Sequence, residues 1–412
     1  MPTRVTSNAI YKRLCQYFGN ENCAVVHSSA LLVRKETDRD YDGRKYLKDR
    51  TFFQNVSVCT IDQILTQGFN LGFWEVKTFH CRNAWIIIDE IHLFEPYTLA
   101  LILRTIKYLR EEFNAHFYIM SATMPEKLQA LLVDALGGNY QLIRDKELLQ
   151  NCINTFETLK NTIQENWNEI QKALDKHEKV LIVVNTVDQA IELYKKLKNK
   201  NSNRNILCYH SRFTQIDRIR IEKSIHKAEE KNEPIILVAT QVVEVSLDID
   251  FDIMFTENAP IDALIQRAGR VNRKGGKTST KIIVHQHSEV SEFVYPELDI
   301  LEITYQVLDT ISGQHPTEEQ FLDMVDQVYK NIDVTQKSSF KDGLKAYDIV
   351  QENLKYLGDK NPYDEDAVTR QIDAVSVIPW SMYEKMQKLE KWERAKYEIS
   401  IRKWRFKNVR SI

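Results

Sequence analysis

Six short runs of aliphatic and aromatic residues, each ending in polar or acidic positions, limit this chain to a narrow set of folds. They are Trp85-Ile86-Ile87-Ile88, Phe117-Tyr118-Ile119-Met120, Val180-Leu181-Ile182-Val183-Val184, Ile206-Leu207-Cys208-Tyr209, Ile235-Ile236-Leu237-Val238 and Ile253-Met254-Phe255. Apolar runs without polar alternation fit strands covered on both faces, as in parallel sheets. Helical patterns lie between them, for example Tyr97 to Leu109 and Gln189 to Leu197. The alternation predicts a doubly wound α/β fold, whose functional groups gather at the carboxyl ends of the strands.

With 412 residues the chain exceeds what one core usually supports. The polar stretch from Glu157 to Lys179 separates two groups of strands, so the domain connection is expected near Asn161. The expected division is 1–160, 161–300 and 301–412. After about Glu302 the alternation stops, and the remainder reads as helices and loops ending in a charged amphipathic stretch from Ser381 to Lys407. Its Lys and Arg residues would suit a phosphate backbone, with Trp392 and Trp404 stacking on bases. A solvated helix whose tryptophans pack on the body is the commoner explanation and the one expected here.

A formal net charge of -2 excludes a uniformly basic coat but permits a local basic groove. The six cysteines form no CxxC pair and no zinc spacing, as expected of free thiols. The first residues lack a signal-type apolar core, and no run approaches the roughly 18 apolar residues of a membrane span. A cytoplasmic protein is expected.

Ile88 leads directly into Asp89-Glu90-Ile91-His92. Two carboxylates at a buried strand end suit a nucleotide hydrolase, with Asp89 holding Mg²⁺ through water and Glu90 polarising the attacking water. An acidic helix start, favoured by the helix dipole, would give the same pattern. Ser121-Ala122-Thr123 after the next strand is either a hydroxyl-rich helix cap or a second part of the same site. The richest run is Ala239 to Arg273, which ends in Gln266-Arg267-Ala268-Gly269-Arg270-Val271-Asn272-Arg273. On one helix, Arg267, Arg270 and Arg273 would share a face, where guanidinium forks could meet a phosphate. An exposed helix laced with salt bridges is the alternative.

Taken in order, Pro2-Thr3-Arg4, Thr60-Ile61-Asp62-Gln63, Asp89 to His92, Ser121 to Thr123, Ala239-Thr240 through Asp250, and Gln266 to Arg273 resemble the motif series of superfamily 2 helicases. More narrowly, TIDQIL, DEIHLFEPYT, HSRFTQIDR and TQVVEVSLDIDFD resemble the CRISPR-associated helicase-nuclease of type I interference systems, over roughly residues 1 to 290. The resemblance implies two RecA-like domains and a mainly helical C-terminal extension, driven by ATP and Mg²⁺. It would give Asp89 and Glu90 the metal and the water, and His92, Ser121 and Thr123 the coupling of hydrolysis to movement. Gln266, Arg270 and Arg273 would close on ATP, with Arg267 and Asp248 near the nucleotide. Thr3, Arg4, Thr60 and Thr240 would hold single-stranded DNA by its backbone. The implied partner is a Cascade-like surveillance complex.

The sequence departs from that family in one respect that affects chemistry. No GxxxxGK[ST] phosphate loop precedes Asp89, and Gly276-Lys277-Thr278 lies beyond the arginine run, where a surface turn is expected. None of the ten histidines is followed by Asp, so no metal-nuclease signature is present either. The first lobe is therefore expected to be N-terminally incomplete, the product of truncation rather than of a natural split. The chain alone is expected to hydrolyse ATP weakly or not at all, needing a nuclease or N-terminal helicase segment on another chain. A non-catalytic DNA- or complex-binding remnant is the alternative. An unrelated RNA helicase is disfavoured by the residues between Gln241 and Asp252.

Overall fold

A computed structural model describes the chain except residues 2, 39, 153, 177–178, 202, 247–248, 278–279, 353–373 and 403–412. Two compact units emerge: Met1–Leu142 with Ile332–Asp373, and Ile143–Asn331 with Ala374–Ile412. Among the described residues no helix is long and apolar enough to cross a membrane.

In the first unit, the helix Arg4–Phe18 starts where the Thr3 hydroxyl accepts the Thr6 N–H at 3.2 Å. Capping of this kind satisfies one of the free amides at a helix start. Strands β1 (Cys23–Val26) and β2 (Val56–Cys59) pair in parallel, and β3 (Trp85–Ile88) and β4 (His116–Ile119) form a second parallel pair. Among the described residues no strand joins the two pairs. Ile86, Ile88, Phe117 and Ile119 pack with Leu99, Ile102 and Ile106 of the helix Pro96–Phe113. Side chains alternate across a strand, and the opposite face of β3–β4 presents Trp85, Ile87 and Tyr118, exposed at 73%, 56% and 45%.

The helix Ser338–Glu352 returns from far along the chain to pack on Pro96–Phe113. Gly343 permits the approach: a β-carbon there would lie 2.6 Å from the Tyr97 carbonyl oxygen and 3.0 Å from the Ala100 β-carbon. Phe340 and Tyr347 are buried at this contact, and Arg104 pairs with Asp348 at 2.7 Å.

The second unit contains a sheet of six parallel strands: β5 (Thr155–Leu159), β6 (Val180–Val183), β7 (Ile206–Tyr209), β8 (Ile236–Ala239), β9 (Ile253–Glu257) and β10 (Lys281–His285). Their spatial order is β5-β10-β9-β6-β8-β7. Leu181, Val183, Leu237 and Phe255 are fully buried, which accounts for the unbroken apolar runs. The stretch read as a domain connection instead holds β5 and the helix Trp167–Asp175, both in this unit. Thr155 and Glu157 make β5 look polar because it is the sheet's edge strand.

The continuous helix expected over the charged C-terminal stretch is also corrected. Strand β11 (Ala374–Val377) pairs antiparallel with β12 (Ile399–Arg402), and the short helices Tyr383–Gln387 and Lys391–Arg394 lie between them. Trp404 lies outside the described residues.

Candidate functional site

In the first unit the candidate residues gather at the carboxyl ends of the strands. Met1 runs beside the end of β2, its ammonium donating to the Cys59 carbonyl at 3.2 Å and its carbonyl accepting the Ile61 N–H at 3.1 Å. This brings Thr3 and Arg4 towards Thr60, which is buried and donates its N–H to the Val26 carbonyl. His27, just after β1, meets the Asn8 side-chain oxygen at 2.7 Å. Burial, reinforced by the Arg4 charge, lowers its pKa to about 4, so it is neutral near pH 7. The sequence reading singled out neither His27 nor Asn8, and the pair ties the first helix to the β1 end.

Asp89 and Glu90 follow β3 directly. Glu90 adopts the left-handed region, with φ 52° and ψ 51°. For a residue with a β-carbon this costs roughly 1–2 kcal/mol, and such strain concentrates at functional sites. The next link is to the turn after β4. His92 Nδ1 lies 2.6 Å from Ser121 Oγ and 3.5 Å from Glu90 Oε2, while the Ser121 hydroxyl donates to the Thr123 carbonyl. The Ala122 N–H reaches Glu90 Oε2 at 3.5 Å. Thus the acidic motif and the Ser-Ala-Thr turn, some thirty residues apart, share one hydrogen-bonded chain. Thr123 is buried at 1% exposure.

No group of three or more His, Cys, Asp or Glu side chains among the described residues could by itself hold a metal. Mg²⁺ commonly binds one or two carboxylates together with substrate phosphates and water, and so does not require a group of that kind.

In the second unit the three arginines do not share a helical face. The helix Ile261–Ala268 ends before Gly269, and Phe251 and Val271 then form a parallel bridge. Arg267 is fully buried and spreads its guanidinium over Glu244 at 2.8 Å, Thr256 at 2.9 Å, the Glu257 carbonyl at 3.1 Å and Tyr295 at 3.1 Å. Burial pushes the Glu244 carboxyl up, with Arg267 opposing. Arg270 donates to the carbonyls of Val243, at 3.1 Å, and Glu244. Arg273 is exposed, its N–H held by Asp250 at 2.9 Å, and Gln266 is partly exposed. The helix ends at Ala268, so Arg270 and Arg273 lie beyond the helical register that would have stacked them on Arg267. Glu244, the buried partner, went unremarked in the sequence because one acidic residue among valines carries no pattern.

Thr240, at the end of β8, is buried at 2% exposure. Asp248 lies outside the described residues. Lys277 pairs with Asp252 at 2.7 Å and Asp250 at 3.3 Å, which anchors its turn to the body of the unit.

Parallel strands with acidic and hydroxyl residues following their carboxyl ends make an α/β architecture consistent with RecA-like domains. The comparisons are narrower. The sequence model of the family "CRISPR-associated nuclease/helicase Cas3, C-terminal" matches residues 176–276. The putative CRISPR-associated nuclease/helicase Cas3 of Methanocaldococcus jannaschii is 32% identical over 374 residues, which are 83% of this chain and 49% of that protein. The crystal structure of T. fusca Cas3-ATP matches with a TM-score of 0.76 at 20% identity, covering 97% of this chain and 57% of that one. A chain from a CRISPR RNA-guided surveillance complex, pre-nicking, gives a TM-score of 0.61 at 18% identity, covering 96% and 59%. These similarities support a Cas3 helicase-type protein. The chain spans about half the length, or less, of the curated relatives it matches, 49% and 42% for two of them.

Proposed function

We propose that this chain is the ATP-driven DNA helicase or translocase motor of a type I CRISPR interference system. The observation that carries the reading is the link from Glu90 through His92 to Ser121, which joins a water-activating carboxylate to the turn after the neighbouring strand. Asp89 would hold Mg²⁺, which neutralises phosphate charge, and Glu90 would orient the attacking water. His92, Ser121 and Thr123 would pass the nucleotide state onward. Gln266, Arg270 and Arg273 would approach the nucleotide, with Asp248 nearby. Arg267 would serve that group from inside the fold. Thr3, Arg4, Thr60 and Thr240 would grip the backbone of single-stranded DNA without reading its sequence.

Likeness to the T. fusca Cas3-ATP structure supports ATP as the ligand, and likeness to a chain from a surveillance complex supports loading from such a complex. No GK[ST] triplet precedes Asp89, and Lys277 is engaged by Asp250 and Asp252. Residues 1–88 hold no such loop, and the several charge-assisted phosphate contacts that one makes, roughly 1.5–3 kcal/mol each, would come from outside residues 1–412. The chain's own turnover is expected to be weak, and higher once a polypeptide with a phosphate loop is added.

The test is ATP hydrolysis with Mg²⁺, with and without single-stranded DNA, for the chain and for Glu90→Gln and Arg273→Ala. Turnover that rises with DNA and disappears in both variants supports the motor. A folded chain that binds DNA yet gains no activity from an added phosphate-loop polypeptide would instead be a non-catalytic binding remnant.

A further inference from the structure

We infer that Trp380 and Tyr383 form a stacking platform for a base of single-stranded nucleic acid. Pro379 precedes a single 3₁₀ turn, Trp380–Met382. Side chains three residues apart eclipse in that geometry, and the Trp380 and Tyr383 rings stack at 4.7 Å with an interplanar angle of 13°. Neither ring is sunk into the body: Trp380 is 82% exposed and Tyr383 47%. Large aromatic rings normally bury most of their surface. Here one ring props the other and leaves a flat aromatic face towards solvent.

Charge decides which partner suits that face. Residues 381–412 contain ten Lys or Arg against four Asp or Glu, in a chain whose overall charge is -2. Lys385 and Lys388 are exposed on the turns directly after the platform, with Glu384 and Glu390 the acidic residues nearest in sequence. An exposed π-face at the start of a basic segment is how proteins hold single strands: the ring takes a base and the cations follow the phosphates. In a duplex the base faces are already stacked, so the platform selects unpaired strands. The inference rests on the single-strand part of the proposed function and adds a contact outside its motif residues.

The experiment measures binding of the whole chain to a fluorescent 20-mer of deoxythymidine, to the same sugar-phosphate strand without bases, and to a 20-base-pair duplex. Trp380→Ala and Trp380→Phe are compared with the parent, and thermal melting confirms that each is folded. Trp380→Ala is expected to weaken binding to the thymidine strand roughly tenfold, with less than a twofold change on the abasic strand and the duplex. Trp380→Phe, which keeps a ring, is expected to restore most of the loss. Equal binding by Trp380→Ala and the parent would overturn the platform, as would an equal loss on all three ligands. Failure of the parent to bind any single strand would overturn the platform and the single-strand reading together, which separates that failure from one confined to Trp380.

Discussion

Arg267 and Glu244 form an ion pair at 2.8 Å, the arginine side chain fully buried and the glutamate 10% exposed. The pair fastens the short helix Val242–Ser246 to the helix Ile261–Ala268, and Arg270 reinforces the same junction through two backbone carbonyls. One arginine of the run is thus committed to holding the others in place.

Replacing Arg267 with Ala would leave Glu244 buried without its cation. Loss of one partner of such a pair typically costs about 3–5 kcal/mol. Urea unfolding of the second unit, followed by tryptophan fluorescence, should show a loss of that size, while Arg273→Ala should stay within about 0.5 kcal/mol because its side chain is exposed. Equal stability of the two variants would refute the assigned division of labour.

Glu90→Gln keeps the shape of the side chain and removes its charge. General-base assistance is worth roughly 10²- to 10⁴-fold, and DNA-stimulated hydrolysis should fall by at least the lower figure without a matching loss of nucleotide binding. Ser121→Ala breaks the bond to His92 and should lower the stimulation by DNA more than the basal rate. A proportional fall in both rates would count against coupling through this serine.

Acid sensitivity of the second unit follows from two buried histidines. Burial lowers His285 to about 4, and burial with Arg212 and Arg218 nearby does the same to His210. The unfolded chain takes up these protons near 6.5 and the folded chain resists until about 4, so stability is full above 6.5 and declines as pH falls through that window. For His285 the span corresponds to about 3 kcal/mol. Unfolding midpoints at pH 7.5, 6, 5 and 4.5 should trace the decline, and His285→Gln should flatten it.

Gly343→Leu should separate the helices Ser338–Glu352 and Pro96–Phe113, since even a β-carbon would meet the Tyr97 carbonyl. Overpacking of this kind costs about 1–3 kcal/mol. Hydrogen exchange should accelerate in Pro96–Phe113 and leave β6 and β8 unchanged. Uniform protection throughout would show that the contact is not needed.

The runs that end at Ile88, Met120, Val184, Tyr209, Val238 and Phe255 correspond to β3, β4, β6, β7, β8 and β9 within a residue or two; burial on both faces explains the apolar runs of β6 to β9, whereas β3 and β4 are apolar although Trp85, Ile87 and Tyr118 are exposed. Strands β1, β2, β5 and β10 escaped notice: Ser57, Glu157 and Lys281 interrupt or shorten the apolar character of the last three, and β1, apolar throughout, is only four residues long. Motif order brought Glu90, His92 and Ser121 to attention, but their hydrogen bonds depend on the pairing of β3 with β4. Burial of Arg267 was illegible for a related reason, since it depends on where a helix stops and on Glu244 arriving from a different element. Trp380 looked like any tryptophan until a single turn set it against Tyr383.

The return of Ser338–Glu352 to the first unit makes the order of synthesis matter. A ribosome that has completed the first 331 residues has made the whole six-stranded sheet, yet the earlier unit still lacks a helix that buries Phe340 and Tyr347. A stop codon between the two regions would leave all six strands of the later-made sheet in place but take from the part already synthesised the helix that covers Pro96–Phe113, and from the second unit its segment Ala374–Ile412, so a late truncation would reach back into the N-terminal lobe.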